Sequence, residues 1–95
     1  SGPAYFFLLT ELLAKQAEAA GFSVEEAQLM AEGTFTGASD FLANSNLTAE
    51  KAREAVTSKG GVTAAALVEF EAAGLSTIVE KAIKANIQRG EELSR

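Results

Sequence analysis

Ala4-Tyr5-Phe6-Phe7-Leu8-Leu9 is the stretch on which the fold of this chain turns. It follows Ser1-Gly2-Pro3, and a proline suits the first turn of a helix. Nothing in residues 4–20 breaks a helix, and Gly21 is placed to close it. Six consecutive apolar residues at a helix start cover every face of it. A helix on a protein surface needs only one apolar stripe, whereas one that is apolar all round must be enclosed. Five short helices of one 95-residue chain are too few to enclose it. The stretch therefore predicts a second copy, in an interlocked dimer with a shared core.

Downstream, Ser23-Val24-Glu25-Glu26 has the form of a capping box, with Ser23 as N-cap and Glu26 three residues on. It opens a second helix over residues 24–43, in which Ala27, Met30, Ala31, Thr34, Phe35, Ala38, Phe41 and Leu42 recur at helical spacing. Gly33 and Gly37 lie on one face and allow another helix to approach closely. Asn44-Ser45-Asn46 is a polar turn. Thr48 caps a short third helix over residues 49–56. A fourth helix spans residues 62–73, carries Leu67, Val68 and Phe70, and ends at Gly74. A fifth spans residues 76–92 with a broad stripe of Ile78, Val79, Ala82, Ile83, Ala85 and Ile87. Its Lys81, Lys84 and Arg89 stand toward the C-terminal half, where cations suit the helix dipole. Nothing alternates with period two, so no strand is expected. The fold class is all-α: one five-helix domain over residues 1–95.

Composition narrows the function. The net charge is −5, with six acids and one base in residues 1–47 and seven of each in residues 48–95. No basic stripe is present, which argues against nucleic acid. The absence of Cys and His removes thiol chemistry, the usual zinc sites and an imidazole base, so no metal site is expected. It is also compatible with a reducing cytoplasm. The longest apolar run is far short of a membrane span, and no signal peptide is visible. A start at Ser1-Gly2-Pro3 without Met reads as that of a fragment.

Val56-Thr57-Ser58-Lys59-Gly60-Gly61-Val62-Thr63 interrupts the Ala-, Leu- and Glu-rich pattern. A Gly-Gly turn feeding a helix start aims several unpartnered backbone N–H groups at one place. The helix dipole adds partial positive charge there, which suits a carboxylate or a phosphate. The plainer reading is a helix–helix connector, with Thr63 or a neighbour as N-cap. Thr57 and Ser58 have no evident general base, so neither reads as a nucleophile, and no catalytic residue is assignable.

Two segments together, Ser1-Gly2-Pro3-Ala4-Tyr5-Phe6-Phe7 and Val56 to Thr63, resemble the C-terminal domain of pyrroline-5-carboxylate reductase. The likeness continues through Glu71-Ala72-Ala73-Gly74-Leu75 and the Glu92-Leu93-Ser94 ending, and so covers essentially the whole chain. The resemblance implies an enzyme with an N-terminal Rossmann domain for NAD(P)H and a helical C-terminal domain that forms an interlocked homodimer or a higher oligomer. Such an enzyme reduces 1-pyrroline-5-carboxylate to L-proline in proline biosynthesis. It further implies that Gly60, Gly61, Val62 and Thr63 offer backbone donors to the substrate carboxylate, with the Thr63 hydroxyl as another and with Thr57 and Ser58 lining the pocket. The chain departs from the family pattern at three places: Lys59 replaces the usual Pro, Val62 stands where Thr or Ala is common, and Leu8 stands where some members have Thr. No proton donor is assigned for that reason. With no Gly-x-Gly-x-x-Gly turn, these residues alone are expected to bind no cofactor and to be inert. The competing expectation is a non-enzymatic helical association module with an anion-binding Gly-Gly loop.

Overall fold

The computed structural model describes residues 1–95 as five α-helices with no strand: α1 (Gly2–Ala19), α2 (Val24–Asn44), α3 (Ala49–Ala55), α4 (Val62–Ala72) and α5 (Leu75–Leu93). All five expected helices are present, with ends displaced by no more than two residues. Their stops follow local chemistry. After α1, Gly21 takes φ +111° and donates its N–H to Glu18 O at 2.9 Å, while Phe22 N–H reaches Ala17 O at 3.2 Å. This is the Schellman pattern, and it satisfies carbonyls that the helix end leaves open. The capping box of α2 is complete: Glu26 N–H donates to Ser23 Oγ at 3.1 Å and Ser23 N–H donates to Glu26 Oε1 at 3.0 Å. The Glu26 carboxyl is held below the usual carboxylate range, chiefly by the Ser23 backbone N–H and next by the Ser23 hydroxyl. Thr48 caps α3 by accepting from Lys51 N–H at 3.2 Å.

The chain divides into two compact units, residues 1–52 and 53–95. In the first, α1 and α2 form an antiparallel hairpin: Phe6 stacks on Phe35 at 5.8 Å, Phe7 meets the same ring edge-on at 6.5 Å, and Ala14 packs with Ala27 and Ala31. Two grooves flank the hairpin. One, of about 610 Å³, is lined by Glu11, Lys15, Glu18 and Glu32 among others. The other, of about 780 Å³, is apolar, with Phe6, Leu9, Leu13, Ala38 and Leu42 in its walls. In the second unit, Ala73 and Gly74 separate α4 from α5, Gly74 taking φ +91°, and the two helices bend by 54°. Gly74 N–H closes α4 on Glu71 O at 3.0 Å, and its carbonyl opens α5 by accepting from Ile78 N–H at 2.9 Å. Ser76 Oγ donates to Glu71 Oε1 at 2.6 Å across the break. No single helix is long and apolar enough to cross a membrane.

Three sequence expectations change. Apart from the backbone of α2 itself, nothing lies within 4 Å of a Cβ built at Gly33 or Gly37, so α1 does not use the close approach they permit. Because α5 runs on to Leu93, its last turn holds no base, and Arg89 instead pairs with Glu92 at 3.0 Å. The N-cap of α4 is Gly61 rather than Thr63. The all-round apolar start of α1 is found as expected, and it stays open: Phe6 is 57% and Phe7 62% exposed.

Candidate functional site at the head of helix four

The site is built on a tight turn between α3 and α4, all within the second unit. Helix α3 closes with short-range bonds, Val56 N–H to Arg53 O at 3.3 Å and Thr57 N–H to Glu54 O at 3.2 Å. The Thr57 hydroxyl donates to Arg53 O at 2.6 Å. Its proton is thus committed to the helix end, where it satisfies a carbonyl that lacks an intrahelical partner. Ser58-Lys59-Gly60-Gly61 then forms a β-turn, in which Gly61 N–H donates to Ser58 O at 3.1 Å and Gly60 takes φ +75°. A positive φ at the third position is the type II pattern, which explains a glycine at 60.

Gly61 starts α4 in an extended conformation, and its carbonyl accepts the first intrahelical bond, from Ala65 N–H at 3.2 Å. The N–H groups of Val62, Thr63 and Ala64 precede that bond, so the helix itself gives them no acceptor. No side chain caps them, and the first turn of α4 holds no acid. Helix α2 differs, since it carries its own anion in Glu26 at the same place. No carboxylate occurs anywhere in residues 55–68, where Lys59 is the sole charge. Val62 is 90% exposed, Ser58, Lys59, Gly60 and Thr63 are exposed too, and Ala64 is half-buried.

The turn therefore brings together all six residues singled out in the sequence, but in divided roles. Val62 and Thr63 present free backbone donors. Gly61 does not, because Ser58 O occupies its N–H. Its contribution is space: a Cβ at 61 would run into Ser58 Oγ and lie 3.3 Å from Ser58 O. Gly60 supplies the left-handed bend. Thr57 and Ser58 frame the turn. Ala64 was missed in the sequence, because only the Ala65-to-Gly61 bond reveals that its N–H is the third orphan donor. An arrangement of three convergent N–H groups at the positive end of a helix can hold an oxyanion.

A family model described as pyrroline-5-carboxylate reductase dimerisation matches residues 1–93. The pyrroline-5-carboxylate reductase of Vibrio alginolyticus is 43% identical over 96 residues, covering 100% of this chain and 35% of that protein. A solved pyrroline-5-carboxylate reductase from Coxiella burnetii superposes with a TM-score of 0.93 at 38% identity, over 100% of this chain and 35% of that one. Another, the pyrroline carboxylate reductase of Plasmodium falciparum with NADP bound, gives 0.82 at 27% identity, over 88% and 33%. This chain spans about a third of the length of the relatives it matches. On the match over residues 1–93, it belongs to the pyrroline-5-carboxylate reductase dimerisation family.

Proposed function

We propose that residues 1–95 are the C-terminal dimerisation and substrate-binding domain of an enzyme that reduces 1-pyrroline-5-carboxylate to L-proline with NAD(P)H, in proline biosynthesis. The observation that carries this reading is the family match, which includes the uncapped head of α4. The substrate carboxylate rests on the N–H groups of Val62, Thr63 and Ala64, with the Thr63 hydroxyl as a further donor. The dipole of α4 favours the same charge, and Lys59 adds attraction from the turn. Gly60 and Gly61 let the backbone come close, while Thr57 and Ser58 line the pocket. In such a reduction the nicotinamide supplies a hydride to the imine carbon. For that cofactor these five helices offer neither a strand nor a Gly-x-Gly-x-x-Gly turn. We place it on a Rossmann domain outside these residues, a reading that the NADP-bound Plasmodium relative supports. No side chain of this chain is assigned as proton donor. The enzyme works as a homodimer or a higher assembly of it, in the cytoplasm.

The test is kinetic, on the intact enzyme that carries these residues. Gly61→Val drives a branched side chain into Ser58 and distorts the donor array. We expect the KM for pyrroline-5-carboxylate to rise by about tenfold or more, the loss of one to two charge-assisted hydrogen bonds, with kcat changed far less. An unchanged KM would remove the carboxylate role from this turn. The 95-residue chain alone, given substrate and NADPH, should show no NADPH oxidation; turnover there would mean that the hydride site lies within these helices.

A further inference from the structure

The amides at the head of α4 read one feature of a ligand, its carboxylate. 1-Pyrroline-5-carboxylate and proline carry the same carboxylate, so those amides alone hold the compound that must stay and the one that must leave alike. The two differ at the ring nitrogen. With its imine unprotonated, the first is a monoanion, whereas the secondary ammonium of proline makes the second a zwitterion without net charge. A fixed cation beside the site separates such a pair, because it attracts a carboxylate and repels an ammonium. Residues 55–68 hold one charge of any kind, Lys59. It is exposed, and no carboxylate pairs with it. Its backbone is held in the turn that the Gly61 N–H closes on Ser58 O at 3.1 Å, immediately ahead of the free donors. Residues 53–95 carry six acids and six bases, so the net charge of that unit does not do the same work.

We infer that Lys59 is a specificity-determining residue: it sorts the ligands of this site by net charge, tightening the anionic substrate and leaving the zwitterionic product loosely held. The inference rests on the carboxylate site proposed above and goes beyond it, because a general attraction for carboxylates would favour both compounds equally. In proline the ammonium and the carboxylate share one carbon, so the pull of Lys59 on one is nearly offset by its push on the other. The sorting is a difference between two affinities. It also depends on salt, since exposed charges are screened beyond about 8–10 Å at physiological ionic strength.

The test uses the intact enzyme and two inhibitors competing with 1-pyrroline-5-carboxylate: L-proline and cyclopentanecarboxylate, in which a ring methylene replaces the ammonium. Their inhibition constants are measured for the wild type, Lys59→Gln and Lys59→Arg. Other contacts of the ring nitrogen cancel when the two ligands are compared across variants. At low ionic strength, Lys59→Gln should raise the constant for cyclopentanecarboxylate about two- to fivefold, the scale of one exposed charge pair. The constant for proline should stay nearly the same, and Lys59→Arg should keep the wild-type ratio. In about 1 M salt, where screening acts within ~3 Å, the wild type and Lys59→Gln should converge. A parallel rise of both constants, no rise in either, or a difference that survives the salt overturns the inference. The carboxylate site outlives that failure if Gly61→Val still raises KM; if neither substitution moves any constant, the two fall together.

Discussion

At Gly61 the two nearest obstacles to a side chain differ in kind: Ser58 Oγ is the tip of a flexible group, and Ser58 O, 3.3 Å away, is backbone held in the turn. Gly61→Ala should therefore disturb substrate binding less than Gly61→Val, and Ser58→Ala in the same chain should restore most of the loss. KM values for the single and double variants in the intact enzyme check this. Lys59 occupies the second position of the turn and its N–H donates to nothing in the chain, so a proline is admissible there. Lys59→Pro should stabilise the domain by about 0.4–1 kcal/mol through the unfolded chain, read as a rise of a few degrees in the thermal midpoint. It should also weaken the attraction for an anion. Residue types alone pointed to a Gly-Gly anion site. The division of labour within it, with the Gly61 N–H engaged and the Ala64 N–H free, depends on which carbonyl each amide meets.

Helix α2 shows what a run of residues can settle for itself. Ser23 and Glu26 lie within one turn, so their reciprocal bonds need nothing from the rest of the chain. Ser23→Ala should cost about 1 kcal/mol of helix stability. The lowered pKa of the Glu26 carboxyl also makes this cap pH-dependent. A carboxyl held lower in the folded state than in the unfolded one adds stability above its unfolded pKa. That stability is lost as pH falls through the folded value. Between pH 7 and pH 3 the wild-type chain should thus lose more stability than Glu26→Gln, as urea midpoints at matched concentration would show. The helix stops at Gly21 and Gly74 were legible for the same local reason, the ease with which glycine takes a positive φ. The last turn of α5 was misjudged by a residue because frayed ends lack such a signal.

For the molecule as a whole, Phe7 distinguishes a bare helix surface from an interface. In the single chain it is 62% exposed and meets Phe35 edge-on, so a charge there is well solvated. In a shared core the same charge is desolvated, at a cost of several kcal/mol if unpaired. Phe7→Asp should therefore abolish a species of about twice 9.9 kDa in sedimentation or light scattering. A folded variant with the mass of the wild type would show that α1 is not at an interface. The Gly33 and Gly37 face belongs to the same question, for α1 does not pack closely on it.

The sequence by itself determined the helices, their caps and their stops, because each depends on residues within a turn or two of one another. It also determined that α1 is apolar all round, and with it the need for something to enclose that helix. Tertiary structure alone decided that the α1–α2 hairpin does not meet that need: the rings of Phe6 and Phe7 meet Phe35 on α2 and stay more than half exposed. Tertiary structure also decided which amides at the head of α4 are free. Both outcomes depend on contacts and bond directions in space, to which residue order and periodicity are blind.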